Sequence, residues 1–273
     1  MTDLHAAAKR CLDATEPAEK LRLTHATWEA FLAGNLQPDS ASPAPDPITA
    51  PGRPVKPVLV NARQLPQRGL GSDEGRAALV HAVAHIEFNA INLAWDAVYR
   101  FRGMPAAYYR DWASCAHDEA RHFAMLAERL QELGHAYGDF DAHDGLWQMA
   151  EKTASNDTAR MALVPRVLEA RGLDVTPGMI ERLRKLGDTR TVAILEVILR
   201  EEVAHVAAGT RWYRHCCQRD GIEPIAHFFA LIRDYMGVSL RGPFNRPARL
   251  EAGFVDEELD RLVALAAEAT LAS

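Results

Sequence analysis

Residues 115–123 read CAHDEARHF, and residues 201–205 read EEVAH. Each holds a glutamate three residues before a histidine: Glu119 with His122, and Glu202 with His205. Both lie inside long runs whose apolar residues recur every three or four positions, the period of an amphipathic helix. Residues three apart on a helix share a face, one turn apart. Each pair therefore aims a carboxylate and an imidazole the same way. Mixed oxygen and nitrogen donors of this kind suit iron and manganese. The motif alone is weak, because about one match arises by chance in a chain of this composition. A third match, Glu132/His135, has Gly134 between its members and reads as that accident.

Depth is the stronger constraint. Leu79, Val83, Ile86, Ala90, Leu93, Ala97 and Phe101 follow a helical period, and Gly103-Met104-Pro105 ends the run. Glu87, in its interior, lies sixteen residues before Gly103, and Glu119 lies sixteen after it. At a rise of about 1.5 Å per residue, an antiparallel hairpin brings the two to the same height. A second helix pair has a matching interval: Glu87 to Glu119 is 32 residues, and Glu169 to Glu202 is 33. Two Glu-x-x-His helices plus one glutamate from each of two others make the dimetal site of ferritin-like bundles. Glu169, however, stands close to GLDVTPG (172–178), which reads as a break, with Thr176 as cap and Pro177 opening a short new helix. Its depth matches Glu202 only if residues 172–187 climb along the bundle. Glu151 is the alternative ligand if they do not.

The rest of the chain also reads as helix, over about 105–133, 146–171, a short helix to Leu186, and 188–217, after a largely helical segment at 3–34. No region alternates apolar and polar residues like a half-buried strand. The expected fold is all-α, a four-helix bundle with additions. Its parts are an N-terminal helix (1–35), a proline-rich arm (36–71), the core (72–217) and a C-terminal extension packed on the core (218–273). Residues 37–57, QPDSASPAPDPITAPGRPVKP, hold seven of the fifteen prolines. Proline fixes φ and lacks an amide donor, so this stretch is neither helix nor central strand. It is either a flexible linker or an extended arm pinned to the domain through the apolar PVLV (57–60).

Composition narrows the function classes. Apolar residues make up 48% and charged residues 25%, ordinary for a soluble globular protein. The net charge of −6 argues against a surface that tracks nucleic-acid phosphates, although a local basic patch stays open. The N-terminus, MTDLHAAAKRCLDA, is too charged for a signal peptide, and no apolar run of about 18 residues predicts a membrane span. The four cysteines form no CxxC pair, which argues against a disulfide framework and for the reducing cytoplasm.

Five motifs together carry a specific resemblance: HAVAHIEFNAINLAWDAVYRF, DEARHF, EARGLDVTP, EEVAH and the late PFN-x-x-AR-x-x-AGF. Over most of the chain, to about Phe254, it resembles the ferritin-like family known as domain of unknown function 455. That family is more distantly similar to the bacterial diiron tRNA hydroxylases. The resemblance implies a ferritin-like core with Glu87, Glu119, His122, Glu169, Glu202 and His205 as metal ligands. It favours Glu169 over Glu151, which spacing left open.

Two function classes follow. The first is a dioxygen-dependent oxidase or hydroxylase holding two metal ions, iron by first expectation and a manganese–iron pair by second. The alternative is metal handling: storage, ferroxidation or a metal-stabilised scaffold without turnover of an organic substrate. The segments outside the four helices favour the enzyme, because they offer material to roof a substrate pocket. The loop RGPFNRPAR carries Arg241, Arg246 and Arg249. These either grip an anionic substrate, since guanidinium binds carboxylate or phosphate with two prongs, or form structural salt bridges. Cys115, one turn before Glu119, reads as packing or as a neighbour of the site. Asp118 reads as a surface residue or as a partner of a ligating histidine.

Overall fold

The computed structural model describes residues 2–39, 42–237 and 240–271. The fold is all-α in its long elements. A two-residue parallel pairing of Thr2–Asp3 with Leu36–Gln37 is the exception among named elements. The chain divides into two compact units, Met1–Glu151 with Asp188–Ile194, and Lys152–Gly187 with Leu195–Ser273.

The first unit is built on a hairpin of α3 (Asp73–Arg100) and α4 (Ala106–Glu132). Ser72 caps α3, its Oγ accepting from Gly75 N at 3.0 Å, and Asp73 and Glu74 add negative charge to the first turn. Helix α1 (Leu4–Asp13) packs on α3, and α2 (Pro17–Leu32) packs on α4. Buried Lys20 reaches between them. Its Nζ donates to the carbonyls of Cys11 (2.7 Å) and Leu12 (3.1 Å) and to Asn92 Oδ1 (2.7 Å), so all three donors are satisfied. Helix α3 is long and apolar enough to cross a bilayer by length and composition, but 78% of its most apolar window is buried inside the protein. It reads as a core helix.

The proline-rich segment is a pinned arm. Gly52 N donates to Leu12 O at 2.7 Å, Asp46 N to Tyr99 Oη at 2.8 Å, and Trp147 Nε1 to Thr49 O at 3.0 Å. Arg53 pairs with Asp144, and Val58 and Val60 bond on either side of Ala142. The anchor is largely backbone and polar. Of the expected apolar anchor PVLV, Pro57 is buried and Leu59 and Val60 are half-buried, whereas Val58 is 53% exposed.

In the second unit, α6 (Asp157–Leu163), a π-helical stretch (Val164–Glu169) and α7 (Ala170–Lys185) run on as one helical segment. Most of α8 (Thr189–Asp220), then α9 (Pro224–Met236), α10 (Arg246–Glu251) and α11 (Asp256–Leu271) complete it. Helix α5 (Gly145–Lys152) precedes α6. The expected break at 172–178 is corrected, because Pro177 lies inside α7. An internal proline leaves the carbonyl four residues back without its donor. Here that carbonyl is Leu173 O, and Asn245 Nδ2 donates to it at 2.9 Å. Arg249 donates to the carbonyls of Arg166 and Ala170, both at 3.4 Å. The late PFN-x-x-AR motif thus serves the backbone of this irregular helix. Pro165 is passed differently: a π turn moves each donor on by one residue, so the chain continues without a break.

Candidate metal centre

In the first unit, the α3–α4 hairpin brings Glu87, Glu119 and His122 together. His122 Nδ1 lies 3.1 Å from Glu87 Oε2 and 3.4 Å from Glu119 Oε2. One ligand atom from each of the three lies within 4.8 Å of the others. All three side chains are buried, His122 completely. Two buried carboxylates at this separation repel, and burial disfavours their ionised forms. Burial, then the charge of Glu119, pushes the Glu87 carboxyl well above the usual range. For His122, burial pulls the other way, but bonds to Glu119 and Glu87 overcome it and push the imidazolium up to about 11. Without a metal the cluster therefore holds protons where a cation would otherwise offset its carboxylates. Two carboxylates and an imidazole are also a fitting donor set for iron or manganese, with the imidazole deprotonated.

In the second unit, His205 Nδ1 lies 3.2 Å from Glu202 Oε2, one turn apart on α8, and both residues are buried. Glu169 closes the π-helical stretch. Two contacts set the register of this antiparallel pair. A Cβ built on Gly172 would stand 3.8 Å from Glu202 Cγ, and one on Gly209 would overlap the Pro165 ring. Both pairs obey one register, and that register sets Glu169 opposite His205. Glu87 and His122 stand in the same relation in the first unit. Gly209 is required here, because any side chain would push Pro165 and the π turn away. Helix α7, Ala170–Lys185, continues past Glu169 where a break was expected. Glu151 is exposed on α5.

The surrounding side chains sort differently. Asp118 is engaged by Arg121 at 2.7 Å. Cys115 is buried one turn before Glu119. Arg249 makes a buried two-pronged pair with Asp174 at 2.7 and 2.9 Å, and Arg246 spans Asp256 and Asp260. Arg241 is exposed. His85 Nδ1 meets Tyr137 Oη at 2.9 Å and its Nε2 lies 3.2 Å from His143 O. Tyr137 packs against Phe88 and Phe123, the chain neighbours of Glu87 and His122. No periodicity pointed to Tyr137, which lies in the turn-rich connection after α4.

A family profile described as protein of unknown function (DUF455) matches residues 13–260. The chain belongs to that family. It is also similar to an uncharacterised protein of Haemophilus influenzae, 41% identical over 259 residues, covering 91% of this chain and 90% of that one. No solved structure matches. The DUF455 membership agrees with the motifs quoted above and carries no activity of its own, so the chemistry rests on the clustered side chains.

Proposed function

We propose that the chain is a carboxylate-bridged dimetal protein of ferritin-like four-helix architecture that uses dioxygen to oxidise or hydroxylate a substrate. The proposed ligands of the metal pair are Glu87, Glu119, His122, Glu169, Glu202 and His205. The observation that carries the reading is the buried Glu87–Glu119–His122 cluster, two carboxyl groups and an imidazole gathered away from water. The matching Glu169, Glu202 and His205 arrangement supports a second, equivalent half. An iron or manganese–iron pair held by these residues would supply electrons to dioxygen. The chain's part is to hold the donors dry and pre-oriented. Glu119 and Glu202 are each locked one turn from their histidine, and the Pro165–Gly209 contact and π turn set Glu169. A distant kinship with the bacterial diiron tRNA hydroxylases is part of this proposal. The four cysteines, all buried and none in a disulfide, suit a reducing cytoplasm.

Metal analysis of the purified chain tests the ligand set. Wild type is expected to hold about two metal ions per chain, and Glu119→Ala and His205→Ala, checked for helicity by circular dichroism, to hold about one or fewer. Full metal content in both variants overturns the proposal. Anaerobic iron loading followed by dioxygen separates the function classes. Oxygen uptake with iron staying near two per chain supports the oxidase. Accumulation of many irons per chain assigns the protein to storage instead.

A further inference from the structure

The second unit contains a cavity of about 250 Å³, on the side of the α7 segment that carries Arg171 and Asp174. That is just below the roughly 300–1,000 Å³ of common small-molecule sites, so any occupant is small. Its apolar wall comes from Val167, Leu168, Met236, Leu240, Phe244 and Leu262. Its charged residues are four arginines, Arg166, Arg171, Arg241 and Arg249, and a single acid, Asp174. In a chain of net charge −6 this is a local inversion of sign.

The ion pairs of this lining leave an imbalance. Arg166 is fully buried, with Nη2 on Glu258 Oε1 at 2.5 Å and Nε on Thr210 Oγ1 at 3.3 Å. Its Nη1 is buried and has no acceptor among the described residues. Arg249 takes both oxygens of Asp174. Arg171 lies 3.6 Å from that same carboxylate and spends its prongs on the carbonyls of Pro243 and Gly242. Four guanidinium groups thus share two carboxylates, leaving two positive charges unmatched beside an apolar wall. Positive charge at the exposed mouth of an apolar pocket selects a ligand with one anionic head and a hydrocarbon body.

We propose that this pocket binds a small amphipathic monocarboxylate, with its carboxylate toward Arg241 and its apolar body against Val167, Met236 and Leu262. The site lies wholly within the second unit and does not rest on the dimetal reading. Octanoate is the probe, titrated calorimetrically into the full chain, metal-loaded and metal-free, beside 1-octanol and inorganic phosphate. Octanoate is expected to bind one per chain, at least about tenfold tighter than either control, since a charge-assisted hydrogen bond discriminates by about that much. Arg241→Gln, an exposed change outside the proposed metal cage, is expected to weaken octanoate about tenfold and leave metal content unchanged. Met236→Trp, which fills the apolar end, is expected to abolish binding while Arg241 remains. Equal affinity for octanoate and octanol, unaltered affinity in Arg241→Gln, or phosphate binding as tight as octanoate each overturns the proposal. Loss of metal binding in the Glu119 variant with octanoate binding intact separates the two proposals.

Discussion

Glu87 illustrates what a functional residue costs. Buried beside Glu119, its carboxyl is held above the usual range, so its ionised form at neutral pH opposes folding in the absence of a cation. Glu87→Gln keeps the shape and the acceptor facing His122 but removes the ionisable carboxyl. The metal-free variant is expected to melt a few degrees above metal-free wild type, because about 1 kcal/mol shifts Tm by roughly 2–4 °C at this chain length. The metal-loaded comparison is expected to reverse, since the variant loses a ligand. Differential scanning calorimetry in both states measures the crossover, and a variant more stable than wild type in both would remove Glu87 from the cage. At this scale the sequence was readable: Glu87, Glu119 and His122 were legible from hairpin depth. Tyr137 was not, because its place against Phe88 and Phe123 depends on a turn that carries no periodicity.

Among the elements, the α6–π–α7 segment shows how distant parts of the chain complete one helix. Proline and glycine at 177–178 read as a break because local propensity disfavours helix there. Asn245, about seventy residues later, supplies the donor that Pro177 cannot. Asn245→Ala is expected to cost about 1–3 kcal/mol by leaving Leu173 O without that donor. Pro177→Ala restores a backbone N–H for the same carbonyl, so the double variant is expected to recover part of the loss. A urea-denaturation double-mutant cycle reads the coupling, and strictly additive changes would show that the two residues do not share that carbonyl. The same reasoning separates Arg249 from ligand binding. Its pair with Asp174 is buried and completes this helix, whereas Arg241 is left exposed at the pocket. The π turn at Pro165 was announced only by the proline itself.

For the molecule as a whole, acid stability has an identifiable contributor. His81 accepts a hydrogen bond from Gly138 N at 2.9 Å through Nε2, which requires a neutral ring. Burial pushes its pKa down to about 4, against the opposing pull of Asp139 and Asp141. The unfolded chain takes up the proton first as pH falls below about 6.5, while the folded ring stays neutral until about 4. This group's contribution is therefore complete above that upper value and is lost as pH falls through the window. The loss is on the order of 2 kcal/mol by about pH 4.5. Urea midpoints measured at about pH 7 and 4.5 are expected to differ less in His81→Gln than in wild type. An equal acid shift in both would exclude His81 as a source.

The sequence by itself determined the all-α class, the caps and ends of the α3–α4 hairpin, and the glutamates and histidines set at helical spacing. These follow from period, rise per residue and turn chemistry, all local quantities. The tertiary structure decided the rest. It pinned the proline-rich arm, carried a helix through Pro177, set Glu169 opposite His205 by a π turn against Gly209, and committed Arg246 and Arg249 to ion pairs while leaving Arg241 exposed. Each depends on which distant donor or acceptor meets an unsatisfied group, and partners far apart in the chain are not encoded in any local pattern.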